Sequence, residues 1–240
     1  MPKVVTIVQA RMGSTRFPGK MMASLHGRTM MEWVLKRCML ASTVDQVVLA
    51  TSDLPRDDAL VEVAEQCGVA ISRGQEEDVL GRFAKAAKLV DASTVVRVCG
   101  DRPLIDPQWT DLAVQYYVNE PVDLAFNHIS SEHDIWPRGF GVEVFSATNL
   151  YSMDETQSDR YFREHVTPYI WQNQDIYKVK AVPSPIEIAD DCRFDVDTVE
   201  DFEQVRSYTE SMNINVSARE ILSLWSARNP DSVFRTNFLN

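Results

Sequence analysis

Three cations, two glycines and two hydroxyl residues fall within twelve positions, Gln9-Ala10-Arg11-Met12-Gly13-Ser14-Thr15-Arg16-Phe17-Pro18-Gly19-Lys20. Glycines let a backbone curl until several N–H groups face one point, and such nests hold phosphate oxygens. Arg11, Arg16 and Lys20 add positive charge beside the backbone of Ala10, Gly13 and Ser14. A mobile surface loop could carry the same charges for solubility. Their interleaving with Gly, Ser, Thr and Pro directly after a strand favours an anion site. A Walker loop is excluded, because five residues separate Gly13 from Gly19 and Met21 follows Lys20. The dinucleotide fingerprint G-x-G-x-x-G is absent as well.

Two acidic segments could complement this loop. Gly100-Asp101 follows a strand-like run, so Asp101 belongs on the carboxyl edge of a sheet, where open α/β sheets bind ligands. A carboxylate facing a triphosphate is a reasonable Mg²⁺ ligand, since magnesium takes a few carboxylates with phosphate oxygens and water. The alternative is a turn residue before Pro103, which its place on the sheet edge makes the weaker reading. Asp197, in Asp195-Val196-Asp197, precedes a helical stripe of Val199, Phe202 and Val205. With Glu200 three residues on, it reads as an N-cap with a capping box, and without further information capping is the stronger reading.

The elements that must position these groups alternate from the start. Val4–Val8, Val47–Ala50, Val69–Ile71 and Val95–Val98 are short apolar runs of the kind buried on both faces of a parallel sheet. Helical spacing fills 29–41, 57–67 and 76–90, and Pro107 opens a further helix expected to turn Leu112, Ala113, Tyr116 and Tyr117 inward. The rhythm predicts an α/β fold, a mostly parallel sheet with helices on both faces and right-handed crossovers. Beyond residue 121 the pattern loosens, with strands expected at 122–127, 139–145 and 176–182 around a stretch rich in Asp, His and Ser. Helices near 198–211 and 217–228 are expected to close a single domain spanning 1–240, in which 121–185 forms a smaller inserted subregion.

Composition narrows the function. The 240 residues are 45% hydrophobic and 25% charged, ordinary for a globular protein. The net charge is -11, yet residues 1–40 carry +6, leaving -17 on the rest. Such a surface repels a nucleic-acid backbone, so no nucleic-acid partner is expected, and a positive segment within it points to a small polyanion. No apolar run approaches the roughly 18 residues of a membrane span, and the N-terminus shows no signal-peptide pattern. Cys38, Cys67, Cys99 and Cys192 are scattered among apolar neighbours without metal-ligand spacing, as in a cytoplasmic protein with reduced thiols.

The pattern Ala10-Arg11…Ser14-Thr15-Arg16-Phe17-Pro18-Gly19-Lys20 resembles the signature loop of the cytidylyltransferases that make CMP-activated acidic sugars. These are the CMP-3-deoxyoctulosonate and CMP-acylneuraminate synthetases, and the resemblance is strongest to the spore-coat polysaccharide biosynthesis subgroup. Further matching segments are Ser72-Arg73-Gly74…Glu77-Asp78-Val79-Leu80-Gly81-Arg82 and Gly100-Asp101-Arg102-Pro103-Leu104-Ile105-Asp106-Pro107. Pro137-Arg138-Gly139, Arg163-Glu164-His165-Val166-Thr167 and Arg193-Phe194-Asp195-Val196-Asp197-Thr198 follow in order.

The resemblance implies the Rossmann-like sheet of the nucleotide-diphospho-sugar transferases, and transfer of CMP from CTP to an ulosonic or sialic-type sugar with release of pyrophosphate. It implies Mg²⁺ on Asp101 and Asp197, with Arg11 and Lys20 holding the triphosphate and Arg16 in support. It also implies nucleotide contacts from Arg73, near which Asp78 and Arg82 lie, although those two could instead be an exposed salt-bridged helix start. Arg138, Arg163 and His165 fall in the half expected to dock the sugar, where Arg-Glu-His could hold a carboxylate and a lone His is more often structural. The chain departs from the subgroup at Phe140-Gly141, where an acidic residue usually follows Arg-Gly-x, so a sugar contact there is expected to be lost or moved. Relatives of this kind are commonly homodimers, and the aromatic-rich 126–145 region is the expected contact. Asp195-Val196-Asp197 also resembles the D-x-D motif of nucleotide-sugar glycosyltransferases, and a non-catalytic nucleotide-sugar-binding protein could keep the same fold. The cationic loop favours the transferase that consumes a free triphosphate.

Overall fold

Val4–Gln9 (β1) lies at the centre of the computed structural model, which describes residues 2–128, 136–188, 192–210, 212–230 and 234–236. Its β-branched residues are buried on both faces, as a central parallel strand requires. A small hairpin, Ser24–Leu25 (β2) and Arg28–Thr29 (β3), precedes the helix Met30–Cys38 (α1). Gln46–Ser52 (β4), Asp58–Cys67 (α2), Ala70–Gly74 (β5), Val79–Leu89 (α3) and Thr94–Cys99 (β6) continue the alternation. Helix α3 starts at Val79, three residues later than the periodicity suggests, because Asp78 caps it by accepting from the Gly81 N–H at 3.0 Å.

Pro107–Asn119 (α4) leads to Leu124–Phe126 (β7), Glu143–Ser146 (β8) and, after three helices, Val179–Ala181 (β9). Those helices are Ala147–Thr156 (α5), Arg160–His165 (α6) and Pro168–Gln172 (α7). One seven-stranded sheet results, in the order β5-β4-β1-β6-β8-β7-β9. Only β8 runs against its neighbours, so the mostly parallel α/β sheet expected from the sequence is the observed one. The segment 121–185 supplies β7, β8 and β9 to that same sheet. The Asp-, His- and Ser-rich stretch expected among these strands falls partly on residues 129–135, which lie outside the described residues.

Ile186–Ile188 (β10), Val199–Tyr208 (α8), Ala218–Arg228 (α9) and Phe234–Thr236 (β11) complete the chain. The closing helices are followed by β11, which pairs antiparallel with β10. Two of the sequence expectations need correction here. In α4 only Ala113 of the four expected residues is fully buried, and Trp109, Thr110 and Val114 join it. The Asp106 cap and Pro107 start set the helix phase, leaving Leu112, Tyr116 and Tyr117 half-buried at the margin. The strand expected over 139–145 begins only at Glu143, after an isolated bridge between Arg138 and Arg193.

Arg37 locks this framework although its charge has no exposed surface. Its guanidinium donates to the carbonyls of Ile105, Ile214 and Val216, each at 2.7 Å, and lies 3.8 Å from Asp106. Burial lowers its pKa to about 10, with Asp106 acting in the opposite direction. Asp106 in turn caps α4 and accepts from the Ala218 N–H at 2.7 Å. Helices α1, α4 and α9 are thereby tied to the loop that carries Asp101. Truncating Arg37 to alanine leaves these buried carbonyls without their donor and Asp106 without its countercharge, with an expected cost of about 3–5 kcal/mol. Urea unfolding should show a correspondingly earlier midpoint.

Candidate active site

Strand order reverses at β1, whose neighbours are β4 on one side and β6 on the other. The crevice outside the carboxyl ends of such a pair is where open α/β sheets bind ligands. Gln9 and Cys99 are register partners at those ends, and Gly100 N–H donates to the Gln9 carbonyl at 2.8 Å. A Cβ on Gly100 would meet the Ala10 Cβ at 2.9 Å and the Gln9 carbonyl at 3.0 Å. Close approach of two backbones therefore requires glycine before Asp101.

A cleft of about 320 Å³ opens on this edge. One wall is the loop after β1, with Arg11, Gly13, Ser14, Arg16 and Lys20 in its lining. The buried Asp57 pins that loop by accepting from the Met12 N–H at 2.7 Å. Gly19, at φ +73°, turns the chain into the short helical turn Lys20–Met22. This turn carries the Lys20 ammonium inward until only 8% of the residue is exposed. Lys20 Nζ donates to the Val196 carbonyl at 2.8 Å and stands 3.6 Å from Asp197 Oδ1, while Arg16 reaches the same oxygen at 3.0 Å.

Asp101 and Asp197 line the same cleft as Lys20. A backbone bond joins their segments, Val196 N–H to the Asp101 carbonyl at 2.8 Å. Asp101 Oδ1 is buried with no hydrogen-bond partner among the described residues. The capping reading of Asp197 is corrected by the structure: Thr198 is the N-cap of α8, and Asp201, not Glu200, completes the capping box. Asp201 Oδ2 accepts from the Asp197 N–H at 2.9 Å, so the Asp197 carboxylate is left to Arg16, Lys20 and Arg193. Among the described residues no three His, Cys, Asp or Glu side chains cluster as a metal site. Two carboxylates, one with an unpartnered oxygen, nevertheless suit a magnesium ion that completes its shell with phosphate and water.

Other expected residues divide sharply. Arg82 and His165 line the cleft, together with Glu164, which sequence reasoning passed over. Arg73 and Asp78 do not line it. Arg73 donates to the Ser52 and Leu54 carbonyls at 2.8 and 2.9 Å and pairs with Asp58 at 2.7 Å. Asp78 is not paired with Arg82 but caps α3 and holds Arg163, whose Nη2 also meets Asp154 at 2.8 Å. Arg163 thus clamps α6 onto α3 from outside the cleft. Arg138 is half-exposed beside Asp195, which is also held by Arg193 at 2.8 Å. Gly139, at φ +97°, lets the Pro-Arg-Gly segment pass against the backbone of Phe194 and Asp195.

The site's second foundation is the buried Glu143, opposite Arg97 on the neighbouring strand. Its carboxylate accepts from Arg97 at 2.5 Å, from the Thr167 hydroxyl at 2.9 Å and from the Trp171 indole at 3.0 Å, and His128 Nε2 stands at 3.1 Å. Arg97 Nε also donates to the Gln9 side chain at the cleft floor, at 3.1 Å. Between His165 and Thr167, Val166 takes φ +71°, and Thr167 N–H bonds back to the His165 carbonyl at 3.0 Å. A β-branched residue in that conformation is strained, and the Thr167–Glu143 bond holds it. At position 141 there is no room for an acid, since a Cβ would meet the His128 Cβ at 2.2 Å.

This geometry is that of a nucleotidyltransferase, with an anion-binding loop and two carboxylates around one cleft at a strand-order reversal. The cytidylyltransferase family profile matches residues 5–221, and the chain belongs to that family. It is 32% identical to the spore coat polysaccharide biosynthesis protein SpsF of Bacillus subtilis, over 97% of both chains. Its structure is similar to a cytidylyltransferase from Leptospira borgpetersenii, with 29% identity, a TM-score of 0.86 and 96% of each chain covered. More distant structures share the fold. A CMP:2-keto-3-deoxy-manno-octonic acid synthetase complexed with CTP has a TM-score of 0.64 at 19% identity, over 87% of this chain and 98% of that one. The Rv0371C protein of Mycobacterium tuberculosis complexed with manganese has a TM-score of 0.60 at 16% identity, over 85% and 98%. No helix among the described residues is long and apolar enough to cross a membrane.

Burial opposes the charged form of Glu143, but Arg97 and His128 outweigh it and hold the carboxyl well below the usual range. The stability this confers is complete above the unfolded value near about 4.3 and is lost as pH falls through the lower folded value. Glu143→Gln should therefore destabilise the protein at neutral pH and flatten the acid side of its stability profile. Thermal melts from pH 3 to pH 7 would check both.

Proposed function

We propose that this enzyme transfers CMP from CTP to a hydroxyl of an acidic sugar, releasing pyrophosphate. The observation that carries the reading is the convergence of Lys20, Arg16, Asp101 and Asp197 on one cleft beside a glycine-bearing loop. Attack by the sugar hydroxyl on the α-phosphorus is in line with departure of pyrophosphate, and catalysis rests on positioning and charge neutralisation. Lys20 and Arg11 hold the triphosphate and meet the charge that grows on the departing oxygen, and Arg16 supports them. To do so they exchange their present carboxylate partners for phosphate, and Asp197 is thereby released.

Asp101 and Asp197 are the residues that would hold Mg²⁺, which supplies positive charge at the α-phosphate and lowers the pKa of the attacking hydroxyl. The manganese complex of a distant fold neighbour accords with divalent-metal use. His165, within the cleft, and Arg138, beside it, are the side chains offered to the sugar's carboxylate; Arg163 acts through its clamp on α6. Arg73 acts in the same indirect way, by bracing β4 and β5 beside the nucleotide. The CMP:2-keto-3-deoxy-manno-octonic acid synthetase that shares the fold supplies the precedent for the acceptor class. We place the enzyme in the cytoplasm, as a homodimer, where CTP is made and thiols stay reduced.

The test is pyrophosphate release with CTP, Mg²⁺ and a panel of ulosonic and sialic-type acids. Product formation supports the proposal, and tight binding of CMP-sugars without any pyrophosphate would replace it with a glycosyltransferase or a binding protein. Lys20→Ala and Asp101→Asn are each expected to lower turnover by about 10²–10³. Near-normal turnover in either variant would remove that residue from the mechanism.

A further inference from the structure

Gln9 ends β1 half-buried, with its side chain in the lining of the cleft. Side chains alternate along a strand, so Gln9 shares the sheet face of Val5 and Ile7. Those two pack with α3 and with Val166 and Ile170, from the turn after α6 and from α7. Gln9 therefore enters the cleft from the side of the sheet that also carries His165. Its amide has a fixed orientation. Arg97 Nε donates to Gln9 Oε1 at 3.1 Å, and a guanidinium accepts nothing, so the oxygen must face it. Glu143 holds Nη1 of the same Arg97 at 2.5 Å, which stops the guanidinium from turning. The two Nε2 donors of Gln9 are left at the other end, without a partner among the described residues.

Arg97 and Glu143 cancel each other's charge, so what they give Gln9 is direction. Glu143 also accepts from the Thr167 hydroxyl at 2.9 Å and so holds the strained turn that follows His165. One buried carboxylate thus sets two side chains of the cleft, Gln9 and His165. The phosphates already have their cations in Arg11, Arg16 and Lys20, and Glu164 stands 4.0 Å from Arg11. An uncharged donor held in one direction suits a group that only accepts and that must be placed as well as bound. We infer that Gln9 Nε2 donates to the carboxylate of the acidic sugar, beside His165, and so helps to select the acceptor. The inference rests on the transferase reading above and adds a contact by which an acidic acceptor is preferred, since hydrogen bonds to ionised groups are the stronger ones.

The measurement is pyrophosphate release at saturating CTP and Mg²⁺, over a range of each ulosonic or sialic-type acid, by the wild type, Gln9→Met and Gln9→Glu. Calorimetric binding of CTP to all three accompanies it. Gln9→Met loses the donor alone and should raise the KM for the acid about ten- to a hundredfold. Gln9→Glu keeps an oxygen for Arg97 but sets a negative charge against the sugar's carboxylate, so its KM should rise further. Both variants should bind CTP as the wild type does. A purely structural role for Gln9 predicts the reverse order, because methionine breaks the bond to Arg97 and glutamate keeps it. That reverse order overturns the inference, as does a near-normal KM in Gln9→Glu or a parallel loss of CTP affinity. A wild type that binds CTP yet turns over none of the acids would overturn the proposed function, and this inference with it.

Discussion

The Lys20 ammonium is the charge around which the molecule is arranged. A cation this deeply buried needs acceptors, and none are near it in sequence. Its partners are the Val196 carbonyl and Asp197, carried by the segment ahead of α8. That segment is in turn fastened to the strand β6 loop through Val196 N–H and the Asp101 carbonyl. The first strand, the fourth parallel strand and a late helix are thus joined at one point. Arg37 secures the far side of the same loop through Ile105. A phosphate chain entering the cleft meets cations already placed, which lowers the reorganisation needed for reaction.

Electrostatics explain why such a cleft survives in an acidic protein. Every cation of the loop is matched by a carboxylate, Arg11 by Glu76, and Arg16 and Lys20 by Asp197. The Arg11 and Arg16 pairs are partly solvated, so their net worth is small and a triphosphate can displace them. Glu143 is different, since it is ionised in the interior and fully satisfied by Arg97, Thr167 and Trp171. Through Arg97 it reaches Gln9, and through Thr167 it secures the strained turn after His165. The cleft floor and one wall thereby share a single rigid support.

The sequence disclosed the framework wherever local pattern and long-range need coincide. Val4–Gln9, Gln46–Ser52 and Thr94–Cys99 are apolar because both faces are covered, and the loop 9–20 had to follow the first of them. Lys20, Arg16 and Asp101 could be brought together because each follows such an element, whereas Asp197 joined them only through the resemblance to the cytidylyltransferases. Glu164 and the buried partnership of Glu143 with Arg97 were not legible, since their partners are set by packing between strands and helices distant in sequence. Asp197 was misread as a cap for a related reason: Thr198 and Asp201 offer the same local chemistry one residue later. Helices α5–α7 carried too weak an apolar stripe to announce themselves, and α6 buries none of its residues fully.

Crystals of the protein soaked with CTP and Mg²⁺ would test the central arrangement directly. The triphosphate should lie along residues 11–20, with Lys20 Nζ within hydrogen-bond distance of a phosphate oxygen and a metal between Asp101 and Asp197. A nucleotide bound elsewhere, or one that leaves Lys20 on the Val196 carbonyl and Asp197 with no phosphate contact, would contradict the account.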